Sequence, residues 1–525
     1  MGQKQVFGRR SVLGMGAAGA LAVTASVVLP RAAHAATGSA APAHSSTSTS
    51  GGTLTTTFDH DPDRFLRNPL NGFVLYSTAT VADDYWEHYD SMQVPGIDGA
   101  VKVSDYAPTL YMRIAWSALE PEEGAYAWDA DTKVASMIAE ARRRDMRLAF
   151  RIVVDSRDKP VGFTPDYVRD AGAEGYESQT GDVTLWSPYP DDPVFQEKYA
   201  AFLTAFAARF GDPEEMDFVD GYGLGLWGEG HTMKYRDPAN REAVFRWNVD
   251  LFTRLFPDVP IALNYHRTIG SEVGWGSADP QSRALLDYAY GLGWILRHDA
   301  FGMTTYYGQW EREVAGAYLF KRPILMEGGW VTASHSISDD PRGYETAADV
   351  RQGEFDDSQQ AHVNAMDFRV GETDSWFEEC FDLVKEFNAE GGYRLLPQSV
   401  QAPSKVARGG SATIAHTWVN RGWAYFPSDL APWHGKYQVA FALLDGAGEP
   451  VEVYADDGIP THTWRERRTY DYTTTPTIGQ VARGRYRWGV AIVDTTRDSA
   501  PAIELATSAE TTESGWLVVG GVTVS

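Results

Sequence analysis

The sequence predicts an α/β protein: a (β/α)8 barrel of the TIM type followed by a C-terminal antiparallel β-sandwich. Three observations carry this. Between residues 58 and 390, eight apolar runs of strand length alternate with helical patterns, the number a closed parallel barrel needs. Beyond residue 391 the helical period gives way to short alternating runs separated by turn signals. Two of the eight runs also end alike, in a glutamate flanked by glycine with a tryptophan close by, as barrel-mouth functional residues would.

Taken in order, the chain opens with Arg9-Arg10-Ser-Val-Leu-Gly, an apolar run over 15–29 and a small-residue cleavage site at Ala33-His34-Ala35. This pattern reads as a twin-arginine export signal over residues 1–35. The run is too short, too rich in Gly and Ala and too abruptly closed by Pro30-Arg31 for a membrane span. The expected product is a secreted bacterial protein with no membrane anchor. Residues 36–57 are Ala, Gly, Ser and Thr with few large apolar side chains, and are expected to be a flexible linker.

The barrel is assigned to residues 58–390, with strands at 72–76, 109–115, 147–154, 217–227, 260–265, 300–305, 323–326 and 363–369. Between them, Val134, Met137, Ile138 and Ala141 share one helical face, as do Phe195, Tyr199, Phe202, Leu203 and Phe206. Such stripes suit packing on a barrel wall. Long segments at 155–193 and 328–360 follow the third and seventh strands, where barrel enzymes build their sites. Cys380, the single cysteine, lies on an apolar helical stripe with Phe377, Phe381, Val384 and Phe387, which favours packing over chemistry and excludes an internal disulfide. The sandwich is assigned to 391–525, with strands at 412–418, 437–444, 486–493, 502–506 and 516–524. Its Trp418, Trp423, Trp433 and Trp464 are either core or an exposed sugar-binding face.

Composition bounds the function. A hydrophobic content of 43% with 13% aromatic residues is ample for a large core. The net charge of −25 becomes more negative once Lys4, Arg9, Arg10 and Arg31 are removed with the signal, which disfavours nucleic acid as a partner. His231, His266, His298 and His335 show no metal spacing, and no phosphate loop, dinucleotide fingerprint or nucleophile elbow is present, so neither metal nor cofactor is expected.

The chemistry concentrates in two stretches. Asp220-Gly-Tyr-Gly-Leu-Gly-Leu-Trp227-Gly-Glu229-Gly-His231 reads as a glycine-laced strand running into a carboxylate beside an indole. Ninety-eight residues later, Arg322-Pro-Ile-Leu-Met-Glu327-Gly-Gly-Trp330 repeats the arrangement. Cleaving a glycosidic bond takes two carboxyl groups on opposite sides of that bond, one to protonate the leaving oxygen and one to attack or steer water. Indole faces supply an apolar floor for a sugar ring. Glu229 and Glu327 are therefore the candidate catalytic pair. Trp227 and Trp330 are candidate platforms, and His231, Asn264, His266 and Tyr306 candidate binders of carbohydrate hydroxyls at the ends of strands four to six. Arg113 and Trp116 on the second strand complete the set.

With one glutamate ending the fourth strand and the other the seventh, the barrel resembles clan A of the retaining glycoside hydrolases. The resemblance implies that Glu229 is the acid/base and Glu327 the nucleophile. The stretch Arg113-Ile-Ala-Trp116-Ser-Ala-Leu-Glu120-Pro-Glu-Glu-Gly124 is similar to the second-strand segment of clan A β-galactosidases, which implies that Arg113 supports Glu327. The chain departs from the clan at Gly228, where the usual residue before the strand-four glutamate is an Asn that contacts the sugar 2-hydroxyl; Asn264 and His231 are the candidates to replace it. Asn68-Pro-Leu-Asn71-Gly72-Phe73, with the sandwich tail, is also similar to a secreted bacterial barrel family of unknown function. The expectation is a secreted glycoside hydrolase acting on an oligo- or polysaccharide by double displacement. The alternatives are a non-catalytic carbohydrate-binding or cell-wall barrel protein and a transglycosylase.

Overall fold

A computed structural model describes residues 44–78, 83–329 and 340–525. The export signal expected over residues 1–35 and the candidate platform Trp330 lie outside the described residues.

Eight parallel strands close into a barrel in sequence order: Gly72–Thr78, Thr109–Ala115, Arg147–Val153, Met216–Asp220, Ile261–Asn264, Ile295–Phe301, Ile324–Gly328 and Ala365–Phe368. Helices follow each strand, among them Lys133–Arg143, Pro193–Phe210, Arg241–Leu255, Ser282–Gly291, Gln309–Tyr318, Ala347–Ala361 and Phe381–Glu390. Their starts are set locally. The Thr132 hydroxyl accepts the Ala135 N–H, and the Asp192 carboxylate accepts the Phe195 N–H ahead of a helix that begins with Pro193.

Period two divides the strand residues into two cores. Phe73, Leu75, Leu110, Met112, Leu148, Phe150, Val219, Leu263, Leu296 and Met326 pack with the helix stripes in one apolar cluster. The alternate residues Val74, Tyr111, Ala149, Phe218, Ala262, Ile295, Leu325 and Ala365 belong to a second cluster, continuous with the core of the C-terminal sheets. The first set faces the helical ring and the second fills the lumen.

Outside the barrel and the hairpin Gly175–Thr180/Val183–Pro188 in its third loop, the described strands form two largely antiparallel sheets. One orders Ser45–Ser50, Thr53–Phe58, Leu395–Pro403, Ile414–Asn420 and Thr469–Thr474. The other orders Lys405–Val406, Leu517–Val524, Gly484–Asp494, Tyr437–Leu444 and Pro450–Asp456, with Ala500–Ile503 paired on Gly484–Asp494. Trp423 ties them to the barrel, its Nε1 donating to the Val363 carbonyl at 2.9 Å.

Three expectations are corrected. The expected linker over 36–57 contains two strands, because in Thr53–Phe58 the buried residues Leu54, Thr56 and Phe58 alternate and threonine is as good a strand former as it is a linker residue. The fourth barrel strand stops at Asp220 rather than running to Trp227. The sixth is Ile295–Phe301, five residues ahead of the expected 300–305, because Arg297 and Asp299 interrupt an apolar run that is nonetheless fully buried. The four C-terminal indoles are core: Trp418, Trp423, Trp433 and Trp464 are no more than 2% exposed, so none offers a face to a sugar.

Candidate active site

Two residues beyond the apolar layer of the lumen, the inward side chains change character. Ala149 is followed on the same face by Arg151, Phe218 by Asp220, Ala262 by Asn264, Leu325 by Glu327, Ala365 by Asp367, and Ile295 by Arg297 and then Asp299. Tyr111 is followed by Arg113. Every member of this upper layer except Arg113 is at least 96% buried, so its charges must be satisfied by one another.

They are satisfied by an alternating ion network. Asp220 accepts from Arg151 Nε at 2.6 Å and from the Tyr111 hydroxyl at 2.7 Å, with Arg297 Nε 3.0 Å away. Arg297 Nη2 donates to Glu327 Oε2 at 2.5 Å, and its guanidinium lies 4.4 Å over the Tyr111 ring. Arg151 Nη2 donates to Asp299, whose second oxygen accepts from Asn264 Nδ2 at 3.0 Å. Arg369 Nε stands 3.4 Å from Glu327 Oε1.

Glu229 does not sit at the end of a strand as expected. It closes a glycine-rich excursion from Gly221 onward that keeps alongside the third strand through the Val154 N–H to Gly223 carbonyl and Trp227 N–H to Asp155 carbonyl bonds. Glycine is required at Gly223, where a Cβ would stand 2.3 Å from the Ile152 carbonyl oxygen. At Gly228, φ is +74°, in the left-handed region that favours glycine, and Arg151 Cδ lies 3.4 Å from where a Cβ would stand. The non-glycine Trp227 is itself left-handed, with φ of +58°.

Glu229 and Glu327 meet across two shared cations. Arg113 Nη2 donates to Glu229 Oε1 at 2.9 Å and Nη1 lies 3.8 Å from Glu327 Oε1. Arg151 lies 3.6 Å from Glu229 and 3.9 Å from Glu327. Arg113 does reach Glu327, as expected, but it is shared: its shorter contact is to Glu229, and the shortest cation contact of Glu327 is with Arg297, an inward residue of a strand that sequence placed too late. Burial alone would raise the Glu229 pKa, but Arg113, the His231 hydrogen bond and Arg151 outweigh it and bring the carboxyl down to about 2.

An aromatic wall runs beside Glu229. His231 Nε2 donates to Glu229 Oε2 at 3.1 Å, and its ring stacks on His266 at 4.5 Å. Trp275 packs edge-on against His266 and against Tyr306, at 4.5 and 4.4 Å. Trp227 packs edge-on to His231 at 5.9 Å, and its Nε1 donates to Asp158. His266 Nδ1 accepts the Thr268 N–H, and burial, with the neighbouring His231 and His298, drives its pKa well below the usual histidine range, so Nε2 carries the proton.

Of the sequence-predicted residues, the fold gathers Glu229, Glu327, Arg113, Trp227, His231, Asn264, His266 and Tyr306 at one end of the barrel. Trp116 is not among them: it is fully buried against Phe195, Tyr199 and Phe202, and with Tyr167 it donates to Glu120, the residue that also closes the turn at Gly124. Sequence reasoning missed Arg151, Asp220, Arg297, Asp299, Asp367, Arg369 and Trp275. The first six had a readable signal, a charge at the period-two position of an apolar strand; Trp275, in a loop, had none. Among the described residues no three His, Cys, Asp or Glu side chains converge as metal ligands would.

No family model matches the chain, and no curated protein matches it. Among solved structures it is similar to an endo-beta-1,4-mannanase from Thermotoga petrophila, at 10% identity and a TM-score of 0.37, over 87% of this chain and 98% of that one. It is similar to endo-glycoceramidase II from Rhodococcus sp., in a lactosyl-enzyme intermediate, at 12% identity and a TM-score of 0.36, over 79% of this chain and 100% of that one. A GH10 xylanase from Thermobacillus composti is similar at 12% identity and a TM-score of 0.33, over 57% of this chain and 84% of that one. The grouping of individual residues at the barrel mouth rests on the geometry above.

Proposed function

We propose that the protein is a glycoside hydrolase that cleaves an oligo- or polysaccharide by double displacement, with Glu327 as nucleophile and Glu229 as acid/base. One observation carries the reading: two glutamates from separate parts of the chain face each other at the barrel mouth across the shared guanidiniums of Arg113 and Arg151. Arg297, Arg369 and Arg151 keep Glu327 in a cationic surround that suits an ionised nucleophile. Attack on the anomeric carbon forms the glycosyl-enzyme as the leaving oxygen takes a proton from Glu229, which then draws a proton from water to release the sugar. Glu229 must gain that proton when substrate displaces solvent and weakens its contact with Arg113, the more open of its two arginines. His231 holds the carboxyl in orientation, while Asn264, His266, Tyr306, Trp227 and Trp275 are the proposed sugar contacts.

In this reading residues 1–35 direct secretion by the twin-arginine route, the barrel of 58–390 is catalytic, and the two sheets pack as a sandwich that supports it. The test is purified protein on aryl glycosides and plant and bacterial polysaccharides, with Glu229→Gln and Glu327→Gln alongside. Release by the wild type alone establishes the chemistry, and full activity in either variant overturns the assignment. Added alcohol acceptors separate hydrolysis from transglycosylation. A second reading, a non-catalytic carbohydrate-binding barrel, is favoured by one observation: Glu229, at about 2, stands far from the raised pKa of a general acid. Glycan binding without product release from any substrate would select it.

A further inference from the structure

The loop that carries Glu229 is built from backbone conformations that most side chains avoid. Tyr222, Trp227 and Thr232, none of them glycine, have φ of +76°, +58° and +53°, and the last two bracket Glu229. Bonds such as the Leu226 N–H to the His231 carbonyl close the loop on itself, but its seat on the barrel depends on its neighbours. On one side the fifth loop holds it, through the Gly270 N–H to the Gly230 carbonyl and the Thr232 N–H to the Val273 carbonyl. On the other side the hold comes from residues just past the end of the third strand. The Asp155 carbonyl accepts the Trp227 N–H at 2.9 Å, and Arg157 Nη2 donates to the Thr232 carbonyl at 2.7 Å. Asp158 adds a tie, accepting from Trp227 Nε1 at 3.0 Å.

The same residues anchor the hairpin of the third loop. Asp155 is buried, and both its oxygens are occupied: Oδ1 accepts the Ser187 hydroxyl at 2.8 Å, while Oδ2 accepts the Tyr176 hydroxyl at 2.6 Å and Arg157 Nε and Nη2 at 3.0 and 2.6 Å. Arg157 Nη2 also donates to the Tyr176 hydroxyl at 3.0 Å, and the Arg157 carbonyl accepts the Thr180 hydroxyl at 2.6 Å. Tyr176 and Thr180 belong to Gly175–Thr180 and Ser187 to Val183–Pro188. One guanidinium thus reaches the hairpin, Asp155 and the Glu229 loop at once. A planar fork can do this where the single point charge of a lysine could not.

We propose that Asp155 and Arg157 are positioning residues for Glu229, and that through them the hairpin sets the aim of that carboxyl. Cutting their ties lets Trp227 and Thr232 relax toward commoner φ, and relaxation on either side of Glu229 moves it. Its bonds to Arg113 at 2.9 Å and His231 at 3.1 Å are directional and tolerate little movement. The docking stands on these contacts alone; that the carboxyl so aimed is an acid/base rests on the glycosidase reading above.

The experiment compares the wild type with Asp155→Asn, Arg157→Lys and Tyr176→Phe in two readouts. Hydrogen exchange in peptides spanning residues 221–232 is expected to quicken roughly tenfold or more in the first two variants and less in the third, while strand peptides 147–153 and 261–264 exchange as in the wild type. In an active enzyme, kcat/KM is measured on a phenyl and a dinitrophenyl glycoside of the sugar found in the activity screen. Phenolate leaves only with a proton from Glu229, whereas dinitrophenolate leaves without one. A misaimed acid therefore lowers the phenyl value roughly tenfold or more and leaves the dinitrophenyl value within about twofold. A purely structural role would lower both values together, and Arg157→Lys, which keeps the charge but not the fork, should not rescue. Unchanged exchange in 221–232, equal quickening of the strand peptides, or equal loss on the two glycosides would overturn the proposal. If the Asp155 and Arg157 variants do not fold, Tyr176→Phe, which removes one hydroxyl, makes the same test alone. A protein that cleaves no glycoside yet loosens selectively in 221–232 retains the docking and loses only the acid/base reading.

Discussion

The two ends of the barrel lumen are built from the same strands, two residues apart, and obey opposite rules. The lower layer, with Val74, Ala149, Phe218, Ala262, Ile295, Leu325 and Ala365, continues the apolar core of the C-terminal sheets. The upper layer, with Arg113, Arg151, Asp220, Arg297, Asp299, Glu327 and Asp367, is almost wholly charged. Both are buried. Apolar burial stabilises in proportion to area, whereas the ion network at best recovers the cost of removing its charges from water. A fold that needed only stability would have repeated the lower layer upward, so under the proposed function the upper layer is where this barrel gives up stability for chemistry.

The largest effects should break that contrast at the glutamates. Glu327→Gln is expected to lower kcat by roughly 10⁴-fold or more, and Glu229→Gln by about 10²–10⁴-fold, each with an unchanged circular dichroism spectrum. In the lower layer, Phe218→Ala should cost about 3–5 kcal/mol of unfolding free energy while leaving turnover of the folded fraction intact. Loss of turnover without loss of stability at one end, and the reverse at the other, is the signature of the division.

A test within the network itself comes next. Arg151→Met removes the cation that donates to Asp220 and Asp299 and approaches both glutamates. It should cost about 3–5 kcal/mol in a denaturant titration, because the anions it leaves stay buried. Arg151→Met with Asp220→Leu should recover part of that loss, because the pair then buries neither the cation nor its closest anion.

Acid sharpens the comparison further. The folded Glu229 pKa, about 2, lies below the ordinary glutamate value of 4.5. Its contribution is therefore fully present above pH 4.5 and lost as pH falls toward 2, an amount on the order of 3 kcal/mol. Asp367 and Glu354, the buried acids that accept the Gly328 and Gly329 N–H groups, act with the opposite sign: their folded values, about 7 and 8, lie above the ordinary 3.8 and 4.5, so their contribution is fully present below those ordinary values and is lost progressively as pH rises from them to 7 and 8. Melting temperature should accordingly fall on both sides of a maximum. His231→Asn, which weakens one support of Glu229, should move the acid limb to higher pH and leave the alkaline limb in place.

Much of this was legible in the sequence. Eight strands and the sheets after residue 391 follow from period and turn chemistry, and Glu229 and Glu327 stood out because glycine and tryptophan frame both. The errors share a cause. Arg297 and Asp299 look like a loop when charge is taken as exposure, which displaced the sixth strand; yet each is the inward residue of a buried strand, paired with a charge from another strand. Threonines 53 and 55–57 look like linker until Leu54 and Phe58 are seen to share a buried face. Trp116 was drawn into the site by its nearness to Arg113, although the second strand ends at Ala115 and Trp116 opens the short helix Trp116–Leu119, where it is buried. Trp275 was invisible because loop geometry, not periodicity, brings it to His266.

The smallest expected effect belongs to that last residue and asks where the upper layer ends. Trp275 is only partly buried and touches His266 and Tyr306, so it forms the outer edge of the aromatic wall rather than part of the ion network. An indole there can lend a sugar ring apolar area but no charge, and its removal should be felt equally by bound substrate and transition state. Trp275→Ala is therefore expected to raise KM about 2–10-fold with kcat nearly unchanged, against the kcat losses at Glu229 and Glu327. Steady-state kinetics on an oligosaccharide and on its aryl monoglycoside would separate the positions at which the indole acts. A KM effect confined to the longer substrate places Trp275 beyond the first sugar. A fall in kcat with KM unchanged would instead show that the wall holds His266 and, through it, His231 against Glu229, extending the charged layer's influence to the rim.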